Sequence, residues 1–456
     1  MIRLRLSELA ALLPATLHGG DATVGGVSID SRAVQPGDLF VALAGPRFDG
    51  HDYLDEAAEK GAVAALVSHR LTKRIPCLEV RDTRSALGTV AAAWRDRSQA
   101  RVVAVTGSNG KTTVKEMLAA ILSQEGETLA TRGNLNNDIG LPLTLCRLQE
   151  ERFAVVELGA NHPGEIDYLS RIARPHIALI NNAGRAHLEG FGSVEGVARA
   201  KAEILSGLDP AGLFIFNADD EQAPLWRELA GERKQLTFGV HRPADVYSPA
   251  DSLRLRWDAR GFHSEFEVRS PRGVLQVSMA LTGEHNRMNA LAAIAAAMGL
   301  GIPDRSIRQG LAEVQPVAGR LAPRVASMGA RVVDDSYNAN PDSVRMAVEV
   351  LCQAPGRKVL VLGDLGELGQ EAEQLHGELG SFASARGVDM VLTCGVLSEA
   401  AARAFGEGGC HFETQEALLE VLQELLRAED TVLVKGSRAA AMERVVAALC
   451  GEERSC

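Results

Sequence analysis

Gly107-Ser108-Asn109-Gly110-Lys111-Thr112-Thr113 sets two glycines, a lysine and three hydroxyls in one short run. These types suit a polyphosphate. Glycines let backbone N–H groups approach the oxygens, and a helix N-terminus adds its partial positive charge. Lys111 reaches the terminal phosphates, and the Thr112 hydroxyl suits Mg²⁺. The general pattern places a glycine at position 105, where this chain has Val105, so the match is to the shorter Gly-x-x-Gly-Lys-Thr form. The flanks fit. Val102 to Val105 is a short β-branched run that predicts a buried strand. Val114, Met117, Leu118, Ile121 and Leu122 recur at helical spacing, and Gly126 stops them.

Other reactive groups follow predicted strands. Glu157 ends Phe153-Ala-Val-Val-Glu-Leu-Gly159, on the edge where parallel sheets bind ligands, and is placed to hold the Mg²⁺ of a nucleotide. His187 follows the strand Ile177–Ile180; a lone histidine is often structural, and the local residues leave it open. Lys201 lies on a lean helix capped by Ser193, among Val197, Ala200 and Ile204, where a solvated lysine is the ordinary reading. Asn134 and Asn137 belong to Thr131–Pro142, a loop with many hydrogen-bonding groups. Ser31-Arg32, with Arg47 to His51, could grip a diphosphate or sugar nucleotide, but an ordinary surface turn explains these residues slightly better.

The elements that position these groups fall into three parts. Residues 1–82 form a small α/β unit. Residues 83–314 carry the phosphate loop on a parallel sheet, with antiparallel β appended between Asp245 and Leu281, then an Ala-rich helix from Met288 to Met298. Near 315 the pattern resets after the linker Pro316–Leu321, and residues 315–456 alternate strand and helix as a doubly wound, Rossmann-like sheet. That part predicts helices over Ser343–Leu351 and Arg438–Leu449. Its strand ends carry Asp334 to Asp342, Gly363 to Glu367, and Lys435-Gly-Ser437-Arg438. The fold class is α/β throughout.

A length of 456 residues and 46% hydrophobic content support real cores in several domains. A net charge of −11 argues against a nucleic-acid partner, and aromatic content of 4% argues against base-stacking platforms. No apolar run suits a membrane span, and the start lacks a signal peptide. Seven unpaired-looking cysteines fit a reduced cytoplasm.

Taken together, these residues resemble the Mur ligase family over essentially the whole chain. The resemblance rests on Thr106–Thr113, Glu157 in Glu-Leu-Gly-Ala, His187, Lys201, Gly283-Glu-His-Asn-Arg-Met-Asn289, Gly319-Arg320 and the Asp335 segment. Within the family, Asp334–Ser343, Asp30–Leu43 and Gly363–Gly369 resemble the branch that joins D-alanyl-D-alanine to UDP-N-acetylmuramoyl-tripeptide. The branch that adds the third residue carries an Asp-Asn-Pro-Arg box, absent here. The resemblance implies an ATP-driven amide ligation through an acyl phosphate, in a cytoplasmic monomer. It implies Mg²⁺ on Thr112 and Glu157, and a second Mg²⁺ on His187 and a carbamylated Lys201. Asn286 would face adenine; Arg320 and Asp335 would reach phosphate and ribose. Ser31, Arg32 and Arg47 would hold the UDP end. Asn134, Asn137, Asn338, Asn340, Lys435, Ser437 and Arg438 would serve the peptide substrates. Two rivals are a folylpolyglutamate synthase, which lacks the separate N-terminal module, and a P-loop regulatory ATPase, which needs no third domain.

Overall fold

A computed structural model describes residues 3–46, 48–69, 72, 74–185, 188–258 and 261–451. Three main sheets follow one another along the chain. The first has five strands in the order Thr16–His18, Cys77–Glu79, Ala64–Val67, Asp38–Val41, Gly26–Ser28, and only its Thr16–His18 edge runs antiparallel. The residues Val27–Arg32 read from sequence as one strand, but the strand stops at Ser28 because Asp30 turns the chain: its carboxylate accepts from Arg32 N and caps a short 3-10 turn, Ser31–Ala33.

The second sheet has ten strands. Its parallel centre runs Lys234–Gly239, Leu213–Asn217, Ile177–Ile180, Arg101–Thr106, Phe153–Glu157, Thr128–Ala130. The inner four are short apolar runs, as strands buried on both faces require. Register puts Glu157 opposite Val105 and Ile180 opposite Thr106, so the polar groups that follow these strands share one edge. The antiparallel segment is continuous with this sheet. Val246–Tyr247 pairs parallel with Lys234–Gly239 and antiparallel with Gly261–Ser270, which joins the two textures. The helix Glu284–Gly299 is buried on nearly every side, and Ala290 to Ala297 includes six alanines that let it lie close to the phosphate-loop helix Lys111–Ser123.

The third sheet has six strands in the order Ala322–Val325, Arg331–Asp335, Thr431–Lys435, Lys358–Gly363, Met390–Cys394, Gly409–Phe412. Only the first pair is antiparallel. Asp335 stands directly across from Lys435. The expected helix Arg438–Leu449 is two pieces: a 3-10 turn Arg438–Ala440, then Glu443–Cys450. Ala441 between them is left-handed, with φ of 49°, and Gln415 Nε2 donates to the Ala440 carbonyl, which a continuous helix would have used itself. Among the described residues, no helix is long and apolar enough to cross a membrane.

Candidate functional site

The phosphate loop leaves the strand Arg101–Thr106 and enters the helix Lys111–Ser123 at Gly110. Gly110 has φ of 78°, and a Cβ there would stand 2.2 Å from Asn289 Oδ1, so both backbone and space demand glycine. Lys111 Nζ donates to Gly107 O (2.7 Å) and Ser108 O (3.4 Å), folded over its own loop. Burial lowers its pKa, Glu157 opposes that shift, and Arg320 adds to it.

Asn181 and Asn182, just past the strand Ile177–Ile180, hold the loop from behind. Asn182 Oδ1 accepts from Asn109 N (2.8 Å), its Nδ2 donates to Asn109 O (3.0 Å), and its own carbonyl accepts from Ser108 N (3.1 Å). The N–H groups of Ser108 and Asn109 are therefore occupied within the protein. Phosphate donors must come from Gly110 onward, at the helix N-terminus. Asn181 Nδ2 donates to Asn109 O and Asn289 Oδ1, both at 2.9 Å. Asn289 passes the chain to Asn286 Oδ1 (3.1 Å), and Asn286 to Thr282 O (2.8 Å). The sequence reading had Asn286 and missed Asn181, Asn182 and Asn289; a polar pair directly after a buried strand was the available sign.

Glu157 is 3 % exposed and fixed at both oxygens. Thr112 Oγ1 donates to Oε2 (3.0 Å) and Asn136 Nδ2 to Oε1 (2.9 Å). Thr131 Oγ1 accepts from Glu157 N (3.0 Å), and the buried Lys115 donates to Thr131 O (2.7 Å), anchoring the asparagine-rich loop. Asn136 was also missed. Asn137 caps the helix Gly140–Leu145 by accepting from Gly140 N at 2.8 Å, so its carbonyl oxygen serves the fold. Thr112 and Glu157 together present hard oxygens beside the loop, a donor set that fits Mg²⁺.

Lys201 is 2 % exposed and sits 5.7 Å from the Phe191 ring centroid. The solvated reading of this lysine is overturned, because the helix Val194–Ala202 turns it inward. Burial first, and the Lys111 charge second, lower its pKa to about 7. As a neutral amine it offers Mg²⁺ no oxygen. His187 and Arg47 lie outside the described residues.

A cavity of about 1690 Å³ joins the second and third units. Ser108 to Thr113, Asn134, Asn137, Glu157 and Asn286 line it from one side. Arg320, Asp335, Asn338, Asn340, Lys435, Ser437 and Arg438 line it from the other. Asp335 accepts from Lys435 Nζ (2.5 Å) and Leu321 N (3.1 Å), and burial raises its pKa against the pull of Lys435. Tyr337 is flanked by Arg320 at 4.5 Å and Arg438 at 5.9 Å. His285, also lining, has its pKa lowered to about 4 by burial and by Lys435, so it is neutral. Ser31 and Arg32 do not line this cavity. Arg32 forks onto Asp30 at 2.9 and 2.8 Å, bringing that carboxyl down to about 2, and Ser31 donates to Glu56 (3.0 Å).

Three family models match the chain: Mur ligase middle domain over 105–297, Mur ligase glutamate ligase domain over 319–438, and Mur ligase family catalytic domain over 23–125. The UDP-N-acetylmuramoyl-tripeptide–D-alanyl-D-alanine ligase of Escherichia coli K12 is 48% identical over 452 residues, which is 98% of this chain and 99% of that one. A crystal structure of MurF from Acinetobacter baumannii superposes with a TM-score of 0.90 at 38% identity, covering 97% of this chain and 98% of its own. MurF from Thermotoga maritima in complex with ADP gives 0.81 at 29% identity, covering 94% and 97%.

Proposed function

Because this chain belongs to the Mur ligase family, we infer that it joins D-alanyl-D-alanine to UDP-N-acetylmuramoyl-tripeptide at the expense of ATP, in cytoplasmic peptidoglycan precursor synthesis. One observation carries the reading from geometry: a single cavity takes phosphate-loop groups on one wall and the strand-end residues of the third sheet on the other. ATP fits that division. Its phosphates lie on the N–H groups of Gly110 to Thr113, and Lys111 leaves the Gly107 carbonyl for the terminal phosphate. Asn286 faces adenine. Arg320 and Asp335 reach the nucleotide from the opposite wall.

The tripeptide carboxylate oxygen attacks the γ-phosphorus, and the bond to the ADP oxygen breaks. The amine of D-alanyl-D-alanine then attacks the acyl carbon, phosphate leaves, and the amine gives up one proton. Such transfer depends on placement and charge neutralisation more than on covalent help from the protein. Mg²⁺ on Thr112 and Glu157 supplies neutralisation when bound; Lys201 as a carbamate, with His187, would hold the second ion. Residues 1–82, with Ser31, Arg32 and Arg47, hold the UDP end. Residues 83–314 hold ATP. Residues 315–456 bring Asn338, Asn340, Ser437 and Arg438 to the dipeptide. The protein works as a monomer.

Incubation with ATP, D-alanyl-D-alanine and each UDP-muramoyl peptide, followed by mass detection, tests the reading. The expected product is the D-alanyl-D-alanine adduct with ADP. Phosphate release that ignores D-alanyl-D-alanine, with no adduct, would overturn it.

A further inference from the structure

The stretch Asn181–Arg185 lies between the phosphate loop and the third unit and touches both. Toward the loop, Gly184 N donates to Ser108 Oγ (2.9 Å), beside the Asn182 clamp on Asn109. Toward the third unit, Arg185 N donates to Asp342 Oδ2 (2.8 Å). A Cβ built on Gly184 would stand 2.6 Å from that same oxygen, so the carboxylate seats directly on the glycine. A second contact runs alongside. Asn340 Nδ2 donates to Asn109 Oδ1 (2.8 Å) across 231 residues of sequence. The side chain of a phosphate-loop residue thus faces the third unit. Asn340 and Asp342 open the helix Pro341–Cys352, and the segment just before it carries Asp335 and Asn338 into the cavity.

We propose that Asn109 and Asp342 are positioning residues that register the third unit on the phosphate loop, so that the dipeptide wall stands at a fixed distance from the terminal phosphate. This rests on the ligase reading above. The contacts sit beside the ligand space: with both in place the cavity of about 1690 Å³ remains open between the units. They are therefore compatible with bound substrates. Asp342 gives a charged acceptor to a backbone N–H, the stronger kind of hydrogen bond, and backbone-anchored contacts fix position better than long side chains do. Small displacements of reacting groups lower rates steeply.

The test uses Asp342→Ala, Gly184→Ala and their double variant in the full chain. The methyl group of Gly184→Ala displaces the Asp342 carboxylate; once Asp342 is alanine, its nearest remaining neighbour is Asn109 Nδ2 at 3.7 Å, an ordinary contact. Each single change should lower kcat/KM for D-alanyl-D-alanine about tenfold while ADP affinity stays within about twofold. The double variant should be no worse than Asp342→Ala alone, and Asp342→Asn, which keeps an acceptor oxygen, should stay within about threefold of the parent. Losses that multiply in the double variant, single variants with unchanged kcat/KM, or ADP affinity falling in step would each overturn the proposal. If the unmodified protein forms no adduct, the ligase reading fails instead. Small-angle scattering then decides this one: ligand-free Asp342→Ala should have a larger radius of gyration than the parent, and equal radii would overturn the registration.

Discussion

Lys111 on one wall of the cavity and Lys435 on the other handle charge differently. Lys435 is 2 % exposed and paired at 2.5 Å with Asp335, and its remaining reach goes to the Asn338 carbonyl. Lys435 is thus neutralised within its own wall. Lys111 rests on two backbone carbonyls, and the buried Lys201 has its pKa lowered by burial and by the Lys111 charge. Glu157 is the carboxylate that opposes the shift of Lys111, while Glu203 and Glu165 act on Lys201 ahead of it; the Glu157 oxygens are held by neutral donors. The middle wall is thus left with charge for a polyanion and its metal to complete, while the third wall acts as a preset template. Buried charge without a close counter-charge is unfavourable, and it persists where function uses it.

Breaking the middle wall should have the largest effect on rate. Glu157→Gln keeps the shape and removes the charge; turnover, read as ADP release, should fall roughly 10³-fold or more, with the melting temperature little changed. Retention within about tenfold would remove Glu157 from the metal site.

Lys201→Ala should lower turnover roughly 10²-fold or more, and added acetate should restore part of it by filling the vacated anion position. Rescue by small amines instead of carboxylates would show that the lysine works as an ammonium. The lowered pKa favours the neutral amine that reacts with CO₂.

Breaking the template should cost stability more than rate. Asp335→Ala strands the Lys435 ammonium, and denaturant unfolding should show a loss of about 3 kcal/mol, the scale for a broken buried pair. Nucleotide affinity should fall about tenfold, a modest binding loss on this scale. Affinity for the UDP substrate, which the proposed function assigns to the first unit, should stay near normal, and a parallel loss of both would place the two ligands on one unit.

The smallest effect sharpens the comparison through pH. His285 lies near Lys435 and is held neutral to about pH 4, below its ordinary 6.5. The unfolded chain takes up a proton first on acidification. The stability tied to neutral His285 is therefore complete above about pH 6.5 and is lost as pH falls toward 4, by at most about 3 kcal/mol. His285→Gln should flatten that part of the stability–pH curve. An unchanged slope between pH 6.5 and 4 would show that His285 does not carry it.

Much of this architecture is written in contiguous residues. The phosphate loop, its strand and its helix are legible because glycine conformation, helix dipole and apolar spacing act within a few residues of one another. The carboxylate ending Phe153–Glu157 is legible for the same reason, since strand ends of a parallel sheet share an edge. The boundaries that misread, at Ser28 and Ala441, were set by a side-chain cap and by a distant glutamine taking a carbonyl. Lys201 was misread because inward and outward faces of a lean, Ala-rich helix look alike until something packs on them. Asn182 behind Asn109, Asn340 in front of it, and Asp335 across from Lys435 were decided by the tertiary structure alone. Their partners lie 73, 231 and 100 residues apart, and no local preference brings them together. Strand order and sheet register do, because they fix which strand ends meet once each apolar run is buried.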